Sequence, residues 1–121
     1  MTDGIGAGAT RRYAIGPASG LHDMPMRVSL IGDSIRMNAE PFVRDRLPQR
    51  FRLTSPSVNC ESSHKVAECI GDWVPRDEVD LVHINCGLHD IRYDPGRDRP
   101  VATPEEYVAN LRKIFAHLAA S

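Results

Sequence analysis

Three short apolar runs, residues 26–32, 51–56 and 79–86, are each followed by a stretch with helical character, and this alternation constrains the chain more than any other feature. A strand that feeds a helix and then another strand builds parallel pairs through right-handed crossovers. The expected class is therefore α/β: a three-layer α/β/α arrangement around a parallel sheet with strand order 2-1-3. Met26-Arg-Val-Ser-Leu-Ile31 runs into Gly32 and is the densest apolar run, free of proline, so it is expected at the centre. A first helix is expected from about Asn38 to Leu47, with Phe42, Val43 and Leu47 inward, Pro41 in its first turn and Pro48 ending it. Val66, Cys69, Ile70 and Trp73 share one face of a second helix closed by Pro75. In the third, Thr103 caps, Pro104 takes the first position, Glu106 completes a capping box, and Tyr107, Leu111, Ile114 and Leu118 form the apolar stripe.

With 121 residues there is room for one domain. Residues 1–25 hold five of the nine glycines without a sustained period and read as a flexible arm, leaving residues 26–121 as the domain. The Gly4-Ile-Gly-Ala-Gly8 run in that arm follows no strand, which removes a dinucleotide reading. Fifteen Lys and Arg against sixteen Asp and Glu leave no electrostatic case for nucleic acid or an anionic membrane. No run approaches the roughly 18 apolar residues of a membrane span, and the first residues lack the apolar core of a secretory signal. Cys60, Cys69 and Cys86 are odd in number and lack metal-ligand spacing, so reduced thiols in a cytoplasmic protein, with no metal and no cofactor, are expected.

Ligands of such sheets bind beyond the carboxyl ends of the strands. That edge should gather Gly32-Asp33-Ser34, Asn59-Cys60-Glu61-Ser62-Ser63-His64 and Asn85-Cys86-Gly87-Leu88-His89-Asp90. Ser34 either caps its helix or projects a hydroxyl beside the backbone N–H groups of the helix start. A phosphate site would need more Gly, Ser and Thr after the first strand, and Asp33 would repel phosphate.

Val28-Ser-Leu-Ile-Gly-Asp-Ser-Ile35 resembles the first block of the SGNH (GDSL-type) ester hydrolases, and Gly87-Leu-His-Asp90 resembles their Gly-x-Asn-Asp block. The resemblance runs from residue 26 to about 118, includes the Thr103-Pro-Glu-Glu-Tyr107 helix start, and implies a flavodoxin-like SGNH hydrolase fold. It implies Ser34 as the nucleophile on a small acyl ester, with its own N–H in the oxyanion hole. Glu61 falls where the family has a glycine donor, in a register that is alternatively one residue earlier, at Cys60. His89 stands where the family has an amide side chain; it is either a donor to the oxyanion or a loop histidine. Asp33, Gly87 and Asp90 are expected in support, the two carboxylates bracing loops. Arg36, Arg92 and Tyr93 are expected to edge the crevice.

The family's general base is a His in a late Asp-x-x-His block after two further strands. No such late block lies within these residues, so the chain reads as an N-terminal portion or truncated product, ending after its third helix. His64 reads either as a substitute base or as an exposed helix-start histidine. Two functions are carried forward: a serine hydrolase of small carboxylic esters, with negligible turnover by this chain alone, and a non-catalytic binding or association module of the same fold. A three-stranded sheet would also leave the outer edge of strand 79–86 free, so instability or pairing with a second copy there is expected.

Overall fold

The computed structural model describes residues 24–120, so the expected glycine-rich arm lies, but for Met24 and Pro25, outside the described residues. The order is β1 (Met26–Ile31), α1 (Ser34–Arg46), β2 (Phe51–Thr54), α2 (Ser63–Trp73), β3 (Leu81–Ile84) and α3 (Pro104–Ala119). The sheet is parallel throughout, in the order β2-β1-β3. Met26 to Ser29 lie beside Phe51 to Thr54, and Val28 to Ile31 lie beside Leu81 to Ile84. Central β1 is thus paired on both sides, as its unbroken apolar run predicts. Each strand is shorter than its apolar run: the last residues of each run leave the ladder and form the loops of the carboxyl edge, and β3 also starts two residues late, at Leu81.

Alternation along the strands sends Val28 and Leu30 to one face and Ser29 and Ile31 to the other. Ile31 is packed at 0% exposure with Val66 and Ile70 of α2 and Ile114 of α3, joined by Cys60, Val74 and the β3 residues Val82 and Ile84. Burying each large aliphatic side chain there contributes roughly 1.5–3 kcal/mol. The two helices on this face are the ones with clear apolar stripes. Among the described residues the opposite face carries α1 alone: Ala39, Val43 and Leu47 share a shallow hollow with Val28, Leu30, Leu53, Leu81 and His83. Leu81 remains 51% exposed because no second helix among the described residues covers the β3 end of that face. No helix among the described residues is long and apolar enough to cross a membrane.

Three expectations about α1 are corrected. The helix begins at Ser34, four residues before Asn38, because Asp33 takes extended backbone angles and accepts a hydrogen bond from the Ile35 N–H. Pro41 consequently lies inside the helix. It removes one intrahelical donor, and the surrounding turns are held instead by Arg36, Glu40 and Arg44, spaced at i, i+4. Phe42, expected inward, is 65% exposed, because the sheet-facing line runs through Arg36, Ala39, Val43 and Leu47. Arg36 is the one buried residue of this helix.

Glu40 connects α1 to the end of β2, receiving hydrogen bonds from Arg36, Arg44 and Ser55. Its loss of hydration would by itself raise its pKa, yet the hydrogen bonds from Ser55, Arg36 and Arg44, with the Arg44 charge, bring the carboxyl down from 4.5 to about 2. A folded-state pKa below the unfolded value means the contribution is complete above the unfolded pKa and disappears as pH falls toward the folded one. The unfolding free energy from urea titrations is therefore expected to drop as pH is lowered from about 5 toward 2, by on the order of 1–2 kcal/mol after surface screening. Glu40→Gln should be less stable at neutral pH and should flatten that dependence; an unchanged slope in this variant would assign the acid sensitivity elsewhere.

Candidate functional site

The carboxyl edge of the sheet is built by hydrogen bonds between the three segments that follow the strands. The Cys60 N–H donates to the Gly32 carbonyl at 3.1 Å, and the Asn85 N–H donates to the Ile31 carbonyl at 2.9 Å. Asn85 Nδ2 also donates to Asp33 Oδ1 at 3.2 Å, so the ends of β1 and β3 are joined by side chains as well as backbone. Gly32 is required for this approach: a Cβ there would lie 1.9 Å from Asn85 Oδ1 and 2.6 Å from Arg36 Cβ. In the order β2-β1-β3 the chain reverses its winding direction between β1 and β3, and open α/β sheets form their crevice at such a reversal.

Ser34 is exposed at this point, as the first residue of α1 directly after its cap. Helix capping, the simpler alternative for Ser34, is performed by Asp33. Among the described residues no hydrogen bond joins Ser34 Oγ to an imidazole. His64, exposed at the start of α2, has Nδ1 3.0 Å from Asn110 Nδ2, and its Nε2 lies 3.8 Å from Glu106 Oε2. His89 Nδ1 lies 3.3 Å from an Arg92 guanidinium nitrogen. The run Asp80-Leu81-Val82-His83 has the Asp-x-x-His spacing but lies at the wrong end. Asp80 is bound to Arg27 at the amino end of the sheet, where hydrogen bonds from that guanidinium and its N–H hold the carboxyl down to about 2.

Glu61 adopts φ +54°, the left-handed region that favours glycine. In the first of the two registers, this residue stands where the resemblance expects a glycine. The Glu61 N–H donates to Asn59 Oδ1 at 2.9 Å, a local turn that occupies this amide. Glu61→Gly is expected to raise stability by about 0.5–1 kcal/mol, since glycine adopts this conformation without strain while only an exposed pair with Lys65 is lost. Thermal melts of the two proteins check it; a loss of stability would mean that the Glu61 side chain contributes more than its backbone costs. In the alternative register, the Cys60 N–H is already taken by the Gly32 carbonyl.

Gly87 also has positive φ, at +137°, and a Cβ on it would stand 3.2 Å from the Tyr107 hydroxyl. That hydroxyl donates to the Cys86 carbonyl at 2.9 Å, fixing the strand end against α3. Desolvation, with Cys86 and Asp90 nearby, raises the Tyr107 pKa, and burial followed by the Asp90 charge raises that of the Cys86 thiol, so both groups are held toward their neutral forms. Asp90, 2% exposed, accepts from both the Ser63 N–H and the Ser63 hydroxyl at the first turn of α2. Asn110 Nδ2 donates to Ser63 Oγ at 3.0 Å, closing a network between the loop after β3, α2 and α3. Asp33 and Asp90 thus both make bracing bonds.

Arg36 does not edge the crevice. Its guanidinium is buried under the loop after β2, donating to the Pro56 and Val58 carbonyls at 3.0 and 2.6 Å. Arg92 and Tyr93 are exposed, with Arg92 paired to Asp94. The sequence placed Asn59 and Asn85 at this edge without giving them a role, and it missed Asn59's turn, Asn85's bond to Asp33 and the whole part played by Asn110. The last had a visible signal: it lies between Tyr107 and Ile114 on the apolar stripe of α3, where an amide needs a buried partner.

Asp33 and Ile35, the residues that flank Ser34 in sequence, line a hollow of about 270 Å³. Asp33, Asn85 and Cys86 contribute to its lining, with Tyr107, and Ile35, Leu88, Leu111 and Phe115 give it an apolar wall. Among the described residues no group of three or more His, Cys, Asp or Glu side chains is arranged to hold a metal ion. Set against family models, curated proteins and solved structures, the chain matches none of them.

Proposed function

We propose that this edge is the reacting crevice of a serine hydrolase of small carboxylic esters, of the SGNH type. The observation that carries the reading is the position of Ser34: exposed, first in α1, at the carboxyl end of the central strand and at the winding reversal. The Ser34 N–H is one of the unpaired donors of a helix start, available to a developing oxyanion. The left-handed backbone at Glu61 fits the family's glycine position. Its N–H becomes a second donor once Asn59 turns away, and the His89 ring is the third.

In the reaction, Ser34 Oγ forms a bond to the ester carbonyl carbon, and the bond from that carbon to the alcohol oxygen breaks. The Ser34 proton passes through solvent, and the alcohol leaves protonated. Water then attacks the acyl-serine, releasing the acid and restoring the hydroxyl. With no imidazole bonded to Ser34 among the described residues, deprotonation is the slow part, and ester turnover by this chain is expected to be negligible.

The second reading, a binding or association module of the same fold, is favoured by the occupied Glu61 amide and by Ser34 having no imidazole partner among the described residues. A fluorophosphonate probe with intact-mass detection separates the two. One adduct on the folded chain, absent in Ser34→Ala of matching circular dichroism, is the expected result. No adduct after prolonged exposure would leave the binding module standing.

A further inference from the structure

We infer that the hollow lined by Asp33 and Ile35, the residues flanking Ser34 in sequence, selects acyl groups that combine a branched apolar side chain with an ammonium group on the carbon next to the carbonyl, that is, esters of apolar amino acids. This deepens, and rests on, the assignment of Ser34 as nucleophile.

The first observation is an orphaned acceptor. Asp33 is 1% exposed, and its Oδ1 accepts from the Ile35 N–H and from Asn85, while Oδ2 is buried with no hydrogen-bond partner among the described residues. A buried carboxylate oxygen without a donor costs about 1–3 kcal/mol or more, a cost relieved when a ligand brings one. A charged N–H group is the strongest such donor.

The second observation is the hollow itself. Asp33 is one of its walls, and the wall opposite in character is Ile35, Leu88, Leu111 and Phe115. Ile35, Leu88 and Phe115 are all exposed at its mouth, more than half so, as expected of a surface that a ligand covers. At about 270 Å³ it lies below the range of roughly 300–1,000 Å³ usual for drug-sized ligands, which limits the occupant to a small side chain.

The third is electrostatic. A carboxylate next to the nucleophile opposes the negative charge that forms on the attacked carbonyl oxygen. An ammonium group on the adjacent carbon of the acyl chain sits between the two and offsets that repulsion. The donor that satisfies Asp33 thereby also removes the main electrostatic obstacle to acylation.

Binding and acylation are tested separately. Leucinamide and isocaproamide, the same molecule without the ammonium group, are titrated into the isotopically labelled chain. Leucinamide is expected to shift the backbone amides of Asp33, Asn85, Cys86 and Tyr107, with at least tenfold higher affinity than isocaproamide. Asp33→Asn keeps a capping oxygen but turns the orphan acceptor into a donor, so the preference should vanish in that variant if its circular dichroism is native. The nitrophenyl esters of leucine and isocaproate are then compared by the rate at which acyl mass appears on Ser34, corrected with Ser34→Ala; the leucine ester should react at least tenfold faster. Equal affinities of the two amides, or shifts confined to other parts of the chain, overturn the inference even if both esters acylate Ser34. A leucinamide preference with no acylation by either ester supports the selective hollow and refutes the nucleophile.

Discussion

Replacing Gly32 with alanine is expected to lower stability by about 3 kcal/mol, the upper end of the range for overpacking a close-packed site. The added methyl group would meet two obstacles of different kinds. Asn85 Oδ1, 1.9 Å away, can rotate aside, but only by giving up the Asn85 bond to Asp33. Arg36 Cβ, 2.6 Å away, is fixed to the backbone of α1, so the helix itself must shift and strain the Arg36 bonds to the loop after β2. Urea unfolding should show a lower midpoint with an unchanged slope. Gly71→Ala is the matched control. It lies inside α2, its nearest neighbour would be His117 Cε1 at 3.8 Å, and it should gain about 0.5–1 kcal/mol from helix propensity. A Gly32→Ala protein as stable as the parent would mean that the ends of β1 and β3 are not held as closely as described.

Asp90→Ala is expected to cost about 3 kcal/mol, from a different cause. It leaves the Ser63 N–H and hydroxyl without their acceptor, and Ser63 is fully buried. It also removes a negative charge from the start of α2, where the unpaired N–H groups favour one. Asp90→Asn keeps an acceptor oxygen and should lose about 1 kcal/mol. Because Asn110 shares Ser63 with Asp90, the effects of Asp90→Ala and Asn110→Ala should not add. Strict additivity in denaturant melts would show that the two act independently and that no shared network exists.

The parts of the architecture that could be read in advance are those governed by local chemistry. The α3 start is the clearest: Thr103 accepts from the Glu106 N–H while the Glu106 side chain accepts from the Thr103 N–H, and both residues were identifiable from their spacing. The central place of β1 followed from its apolar run, and the three loops at the carboxyl edge followed from the β-α alternation. What could not be read depends on partners distant in sequence. Arg36 looks like a surface residue until the carbonyls of Pro56 and Val58, about twenty residues later, are brought over it. The start of α1 was misplaced because a proline is normally a boundary, whereas here a capped first turn and a charged triad carry the helix past it. Asn59 and Asn85 are ordinary loop residues by type; their roles arise from where the turn and the sheet put them. The backbone angle at Glu61 was hidden for a related reason, since a residue other than glycine gives no notice of a left-handed turn.

The uneven covering of the sheet has a consequence for which parts of the molecule open first. α2 and α3 share an apolar core with β1, whereas α1 buries a single residue, the arginine Arg36, and is held mainly by the Arg36 hydrogen bonds to the Pro56 and Val58 carbonyls and by the bond from Ser55 to Glu40. Elements with little apolar burial exchange their amide hydrogens through sub-global openings well below the free energy of complete unfolding. The amides of α1 should therefore exchange as one early group, while those of β1, α2 and the middle of α3 wait for global unfolding. Since Ser34 begins α1, the crevice would have one wall that breathes and two that do not, and a bound acyl group would be felt most strongly as slowed exchange in that wall.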